Sequence, residues 1–176
     1  MIFSESELEG VYLVKPERLE DERGFFARTL CQEEFSRAGL VSSFVQSSIS
    51  YNRSKGTLRG MHFQAAPNEE TKLVRCTTGA IHDVIVDLRK ESPTFLKWIS
   101  AELSADNRLA LYVPAGCAHG FLTLQDDSEV LYEITPAYQP HGTRGFRWND
   151  PAFGIRWPAE ISMISERDST YPDFIS

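Results

Sequence analysis

Between roughly residue 40 and residue 150 the chain is a succession of short runs rich in β-branched and aromatic residues, each closed by turn-forming residues. The runs cover 44–51, 57–63, 72–77, 80–88, 95–103, 110–113, 120–124 and 129–135. Strand-length runs at so regular a spacing predict a mainly β chain folded as a sandwich or barrel. Helical signals are few. Gln32 to Ala38, closed by Gly39, predicts a short helix with a glycine stop, and Ser104 to Arg108 a turn or a single helical turn. The final third, with Asn149-Asp150-Pro151 and Arg156-Trp157-Pro158, is loop-rich and aromatic, as expected of a segment packed over a barrel mouth. No internal repeat or Ser/Gly linker marks a boundary, so one domain spanning 1–176 is expected.

With 41% hydrophobic and 24% charged residues, the composition suits a soluble globule with a real core. A formal charge of −7 argues against a nucleic-acid partner, because such binding depends on Lys and Arg neutralising phosphates. A small anion held by a few local arginines remains compatible. The acidic start, Met1 to Glu7, lacks the basic and apolar regions of a secretion signal, and no run approaches 18 apolar residues. A cytoplasmic location and no membrane partner are therefore expected. Cys31, Cys76 and Cys117 cannot all pair and lack zinc-type spacing, so they are expected as reduced thiols in or near the core.

The sharpest local pattern is Pro114-Ala115-Gly116-Cys117-Ala118-His119-Gly120-Phe121, a PxGxxH turn leading into an apolar strand. It resembles the second half of the signature of cupin barrels. Metal-binding cupins carry His-x-His and a later Glu in the first half, but here Arg59-Gly60-Met61-His62-Phe63-Gln64 has Phe and Gln where ligands would stand. Two histidines without a carboxylate make a poor metal site, so no metal is expected. A barrel that keeps His62 and His119 without an ion suggests proton chemistry, since imidazole titrates near neutrality. Taken alone, each also fits a hydrogen-bonded core residue, and His82 and His141 have no context beyond that.

In Glu129-Val130-Leu131-Tyr132-Glu133-Ile134 the alternation sets Val130, Tyr132 and Ile134 on one face and acidic residues on the other. Tyr132 is expected to point inward, where a phenol opposite an imidazole could serve a two-face proton exchange or simply pack. Arg23 and Arg59 stand beside glycines, where backbone can approach an anion and a guanidinium can grip phosphate. Plain surface arginines remain the alternative.

Taken together, Asp21-Glu22-Arg23-Gly24-Phe25-Phe26, the stretch Lys55 to Gln64, Lys72-Leu73-Val74-Arg75-Cys76, the stretch Asp83 to Arg89, Ser92-Pro93-Thr94, the PxGxxH turn and Arg147-Trp148-Asn149-Asp150-Pro151 resemble the dTDP-4-dehydrorhamnose 3,5-epimerase family, in order, over nearly the whole chain. The resemblance implies a cupin-like jelly-roll barrel, a homodimer, no cofactor, and a nucleoside-diphosphate 4-keto-6-deoxyhexose as substrate. It implies His62 as general base oriented by Asp168, Tyr132 as general acid, and Lys72 beside the keto oxygen. It assigns the diphosphate to Arg23 and Arg59, the pocket wall to His119, and nucleoside contacts to Gln46 and Tyr138. Arg167 adjoins Asp168 and joins the substrate-binding set. A C–H beside a ketone is acidic because its carbanion is an enolate, and Lys72 can stabilise the charge developing on that oxygen.

The chain departs from the family pattern at Arg28 (usually Glu), Ser48 (usually Asn), Leu19 (usually aromatic) and Thr143 (usually Glu), with one extra residue between Gln46 and His62. These positions fall where the resemblance puts substrate recognition, so Arg28 and Ser48 are candidate substrate contacts, and a CDP-, GDP- or modified dTDP-sugar is an alternative substrate. Inversion at only one carbon, a 3,4-ketoisomerase and a noncatalytic binding module are the competing functions.

Overall fold

The computed structural model describes residues 1–175. Fourteen strands form: β1 (Ile2–Glu5), β2 (Tyr12–Lys15), β3 (Arg18–Asp21), β4 (Gly24–Ala27), β5 (Gln46–Asn52), β6 (Thr57–Gln64), β7 (Thr71–Thr78), β8 (Ala80–Asp87), β9 (Trp98–Ser104), β10 (Ala110–Val113), β11 (Cys117–Thr123), β12 (Ser128–Thr135), β13 (Thr143–Gly145) and β14 (Met163–Ile164). The α-helices are α1 (Gln32–Arg37) and α2 (Glu166–Ser169), and Pro140–Gly142 forms a single 3-10 turn. One sheet has the order β1-β2-β10-β7-β12-β5 and the other β13-β6-β11-β8-β9, with β14 parallel beside β6. The β3–β4 hairpin forms a separate two-stranded ribbon.

The inner faces of the two sheets meet in a core of Val74, Cys76, Leu111 and Val113 from the first and Ile81, Ile85 and Phe121 from the second. Strand β8 shows why its sequence reads as an unbroken apolar run. Ile81 and Ile85 point inward, whereas Val84 and Val86 pack on the outer face, and both faces are covered. Helix α1 covers the outer face of the first sheet by burying Phe35 against Val14, Leu73, Ala110 and Tyr112. Gly39, at φ 73°, turns the chain after that helix.

The second sheet is covered from outside by Phe146, Phe153, Ile155, Trp157 and Phe174, which pack on Met61, Val84, Val86 and Ala118. This corrects the expectation that the aromatic final third lies over a barrel mouth. Its apolar side chains back the sheet, and only short pieces around 138–143 and 165–168 reach the rim of the interior. The eight strands expected from 44 to 135 all form. The ninth strand begins at Trp98 rather than Phe95, because 95–97 is spent in turn hydrogen bonds from Phe95 N to Ser92 O and Lys97 N to Thr94 O. Among the described residues, no helix is long and apolar enough to cross a membrane.

Candidate active site

A cavity of about 370 Å³ opens between the inner faces of the two sheets. On the first sheet, pairing sets the lining in cross-strand rows. Gln46, Ile134 and Lys72 share one row, and Ser48, Tyr132 and Val74 the next. All but Val74 line the cavity, joined by Ser50. The alternation of β12 thus delivers Tyr132 inward.

The opposite wall comes from β6 and β11. His62 stands opposite His119, and Arg59 stands opposite Phe121, with a register shift between. In an unbroken strand, residues three apart face opposite sides, so the irregularity is what lets Arg59 and His62 both line the cavity. Glycines permit it. Gly60 has φ 129°, a Cβ on it would lie 2.6 Å from Gly120 Cα, and a Cβ on Gly120 would lie 2.6 Å from Met61 Sδ and 2.9 Å from Arg59 O.

His62 Nε2 lies 2.8 Å from Asp168 Oδ1. Asp168 is buried, and its second oxygen accepts from Gly60 N at 3.2 Å. Helix α2 carries it there: Ser165 is the N-cap, its Oγ accepting from Asp168 N at 3.1 Å. Burial tends to raise the Asp168 carboxyl, but hydrogen bonds from His62 and Gly60 and the charges of His62 and Arg167 outweigh it, so its pKa is lowered. In the neutral ring, an ionised Asp168 accepting from Nε2–H leaves the lone pair on Nδ1. Arg167 lines the cavity beside this pair, its Nη2 3.2 Å from His62 Nε2 and its Nε 3.4 Å from Asp168 Oδ1.

A second pair is buried deeper: His119 Nε2 to Asp83 Oδ1 at 2.6 Å. The His119 ring meets Tyr132 edge-on, with centroids 6.0 Å apart. Burial first, and then the Asp83 charge, push the Tyr132 phenol well above its usual range, with Arg59 pulling weakly the other way. Tyr132 therefore keeps its proton at physiological pH. Lys72 Nζ pairs with Glu70 at 3.2 Å, Glu70 accepts from Gln64 Nε2 at 3.2 Å, and Gln64 reaches Thr143 Oγ1 at 3.2 Å. Thr143 in turn donates to the Tyr138 hydroxyl at 3.0 Å, and Gln46 Oε1 accepts from Tyr138 N. A cation, an oriented imidazole, a neutral phenol and two arginines thus surround one space of small-ligand size.

The family model for dTDP-4-dehydrorhamnose 3,5-epimerase matches residues 5–176. The chain belongs to this family. It is 43% identical over 173 residues to the dTDP-4-dehydrorhamnose 3,5-epimerase of Sinorhizobium fredii, covering 98% of this chain and 89% of that one. It superposes on the Bacillus anthracis epimerase crystallised with TDP and PPi, with a TM-score of 0.95, 40% identity and coverage of 98% and 99%. The Legionella pneumophila 3,5-epimerase in complex with dTDP-4-keto-L-rhamnose matches with a TM-score of 0.89 and 32% identity, over 95% and 89%. The fold is the cupin-like jelly roll that the PxGxxH turn suggested, and the protein is an isomerase of the epimerase class.

In this epimerase the cavity gathers His62, Tyr132, Lys72, Arg59, His119, Gln46, Ser48, Tyr138 and Arg167, with Asp168 behind His62. Two assigned substrate contacts lie elsewhere in their own chain. Arg23 sits on the turn of the β3–β4 hairpin, exposed and paired with Asp21, and Arg28 pairs with Glu34 at 2.8 Å beside a separate depression. The cause is that the hairpin pairs with neither main sheet. Sequence reasoning also missed Asp83, Glu70, Gln64 and Ser50. For Asp83 a signal existed, because a carboxylate at an inward position between Ile81 and Ile85 needs a buried partner. Among the described residues, no group of three or more His, Cys, Asp or Glu is placed to hold a metal ion.

Proposed function

We propose that the whole chain acts as one epimerase unit that inverts C3 and C5 of a dTDP-linked 4-keto-6-deoxyhexose. The observation that carries this is the opposition of His62 on β6 and Tyr132 on β12 across one cavity, with Lys72 in its wall. His62, oriented by Asp168, removes the proton on one side of the ketone. Lys72 holds the developing enolate oxygen by a charge-assisted hydrogen bond, and Tyr132 returns a proton from the opposite face, which inverts the centre. Because C3 and C5 flank the same C4 ketone, one acid–base pair serves both as the ring shifts. Arg59 and Arg167 take the diphosphate, and Gln46, Ser48 and Tyr138 the nucleoside side. No metal ion or organic cofactor enters this scheme.

The same reading makes the protein a homodimer in which the β3–β4 hairpin offers Arg23, and the residue just after it, Arg28, to a partner's cavity. It is supported by Leu19 and Phe26 on that hairpin, each 70% exposed, and by the edge strand β5, where Ile49 is 63% exposed. A cytoplasmic setting suits the free thiols of Cys76 and Cys117.

The deciding experiment is incubation of dTDP-4-keto-6-deoxyglucose in deuterium oxide, with the CDP- and GDP-linked sugars in parallel. Deuterium and inversion at both carbons, with preference for dTDP, are expected. Exchange at a single carbon would replace the proposal with a mono-epimerase, preference for CDP or GDP would change the nucleotide, and binding without exchange would make the protein a binding module.

A further inference from the structure

Arg59 is exposed on the cavity wall, yet its bearing is fixed. Its Nε donates to Asn52 Oδ1 at 2.7 Å, and its Nη2 reaches Tyr51 O at 3.4 Å. Asn52 ends β5 opposite Ser128 and is only 2% exposed. Its Nδ2 donates to Ser50 O at 3.0 Å and to Ser128 O at 3.2 Å. The amide has one workable orientation: a guanidinium N–H only donates and requires Oδ1, while two carbonyls only accept and require the NH2. Three contacts agree on it. Asn52 is therefore clamped by the backbones of β5 and β12 in the first sheet, and its single oxygen bears on an arginine of the second.

We infer that Asn52 is a positioning residue that holds Arg59 ready for the diphosphate of the substrate. This rests on the reading of Arg59 as a diphosphate ligand. A long arginine side chain loses rotamer freedom when it engages an anion, and anchoring Nε beforehand removes part of that cost. With Nε taken by Asn52, the terminal nitrogens are what an anion meets. Asn52 does not line the cavity, so it acts through Arg59 alone. It also lies in the stretch between Gln46 and His62 that is one residue longer than the family pattern, where a chain of different length needs its own means of aiming this arginine.

The test is titration calorimetry with dTDP and with inorganic pyrophosphate on the wild type, Asn52→Ala, Asn52→Asp, Arg59→Gln and the Asn52→Ala/Arg59→Gln double variant, together with kcat and KM. Arg59→Gln should weaken binding by at least about tenfold. Asn52→Ala should weaken it by about fivefold to tenfold, with the loss in KM rather than kcat, and the double variant should bind no worse than Arg59→Gln. Asn52→Asp keeps an acceptor for Arg59 while losing both donors to the strands, so it should recover most of the affinity even if its melting temperature falls. Asn52→Ala binding like wild type, a loss of equal size in the Arg59→Gln background, or Asn52→Asp binding as poorly as Asn52→Ala would each overturn the inference. Undiminished affinity in Arg59→Gln would instead remove the diphosphate role of Arg59, and the inference with it.

Discussion

Replacing Tyr132 by Phe separates chemistry from architecture with a single oxygen atom. The ring packs at the edge of the main core cluster and against His119, contacts that Phe retains. The hydroxyl makes no hydrogen bond among the described residues, so its removal strands no buried partner. The stability change should therefore stay within about 0.5 kcal/mol, which for a chain of this size is a melting shift of no more than about 2 °C. The activity change should be far larger. General acid catalysis contributes about 10²- to 10⁴-fold, and Phe has no proton to give, so inverted product should fall by that factor. Deprotonation by His62 needs no second-face acid, so wash-in of solvent deuterium into recovered substrate should persist within about tenfold of wild type. Thermal melting, product quantification and NMR of deuterium content on one preparation measure all three. Wild-type inversion by Tyr132→Phe, or loss of deuterium exchange as complete as in His62→Ala, would refute the division of labour between the two residues.

Asp168→Asn should lower kcat by about 100-fold or more, because an amide presents both a donor and an acceptor to His62 Nε2 and no longer fixes the tautomer. The lowered Asp168 pKa also has a sign in stability: its contribution is fully present above the unfolded value near 3.9 and is lost as pH falls through the depressed folded value. Urea midpoints followed downward from pH 5 should thus drop more steeply for wild type than for Asp168→Asn. Burial pushes the Cys76 thiol up to about 11 and Cys117 to about 12, so only half-exposed Cys31 should react with a thiol reagent at pH 8 until the chain unfolds. Gly120→Ala should cost about 3 kcal/mol or more in urea unfolding, since its Cβ meets Met61 Sδ and Arg59 O at contact-violating distances.

The sequence made the barrel legible where strands are long and sandwiched, and obscure where they are short and wet. The unbroken apolar run of β8 and the alternation of β12 announce themselves because burial imposes a pattern on them. Arg18–Asp21 and Gly24–Ala27 carry almost no such pattern, since the hairpin they form is exposed over nearly its whole length. The site divides likewise. The inward bearing of Tyr132 follows from period-two geometry, but the register that sets His62 opposite His119 does not, and Asp168 lies 106 residues from His62 and arrives on a four-residue helix that no periodicity could reveal. Family resemblance supplied it. The same resemblance placed Arg23 at the substrate, where the single chain leaves it on an outlying turn.

The slip in register between β6 and β11 turns one strand into a ruler. The slip fixes the residues on either side of it, Arg59 and His62, at one spacing on one wall of the cavity. A residue added or removed between these marks would shift the base by a full increment and also rotate it out of the interior. Length is free to vary ahead of the first mark, in the turn at 53–56, next to the amide brace of Asn52 at the end of β5.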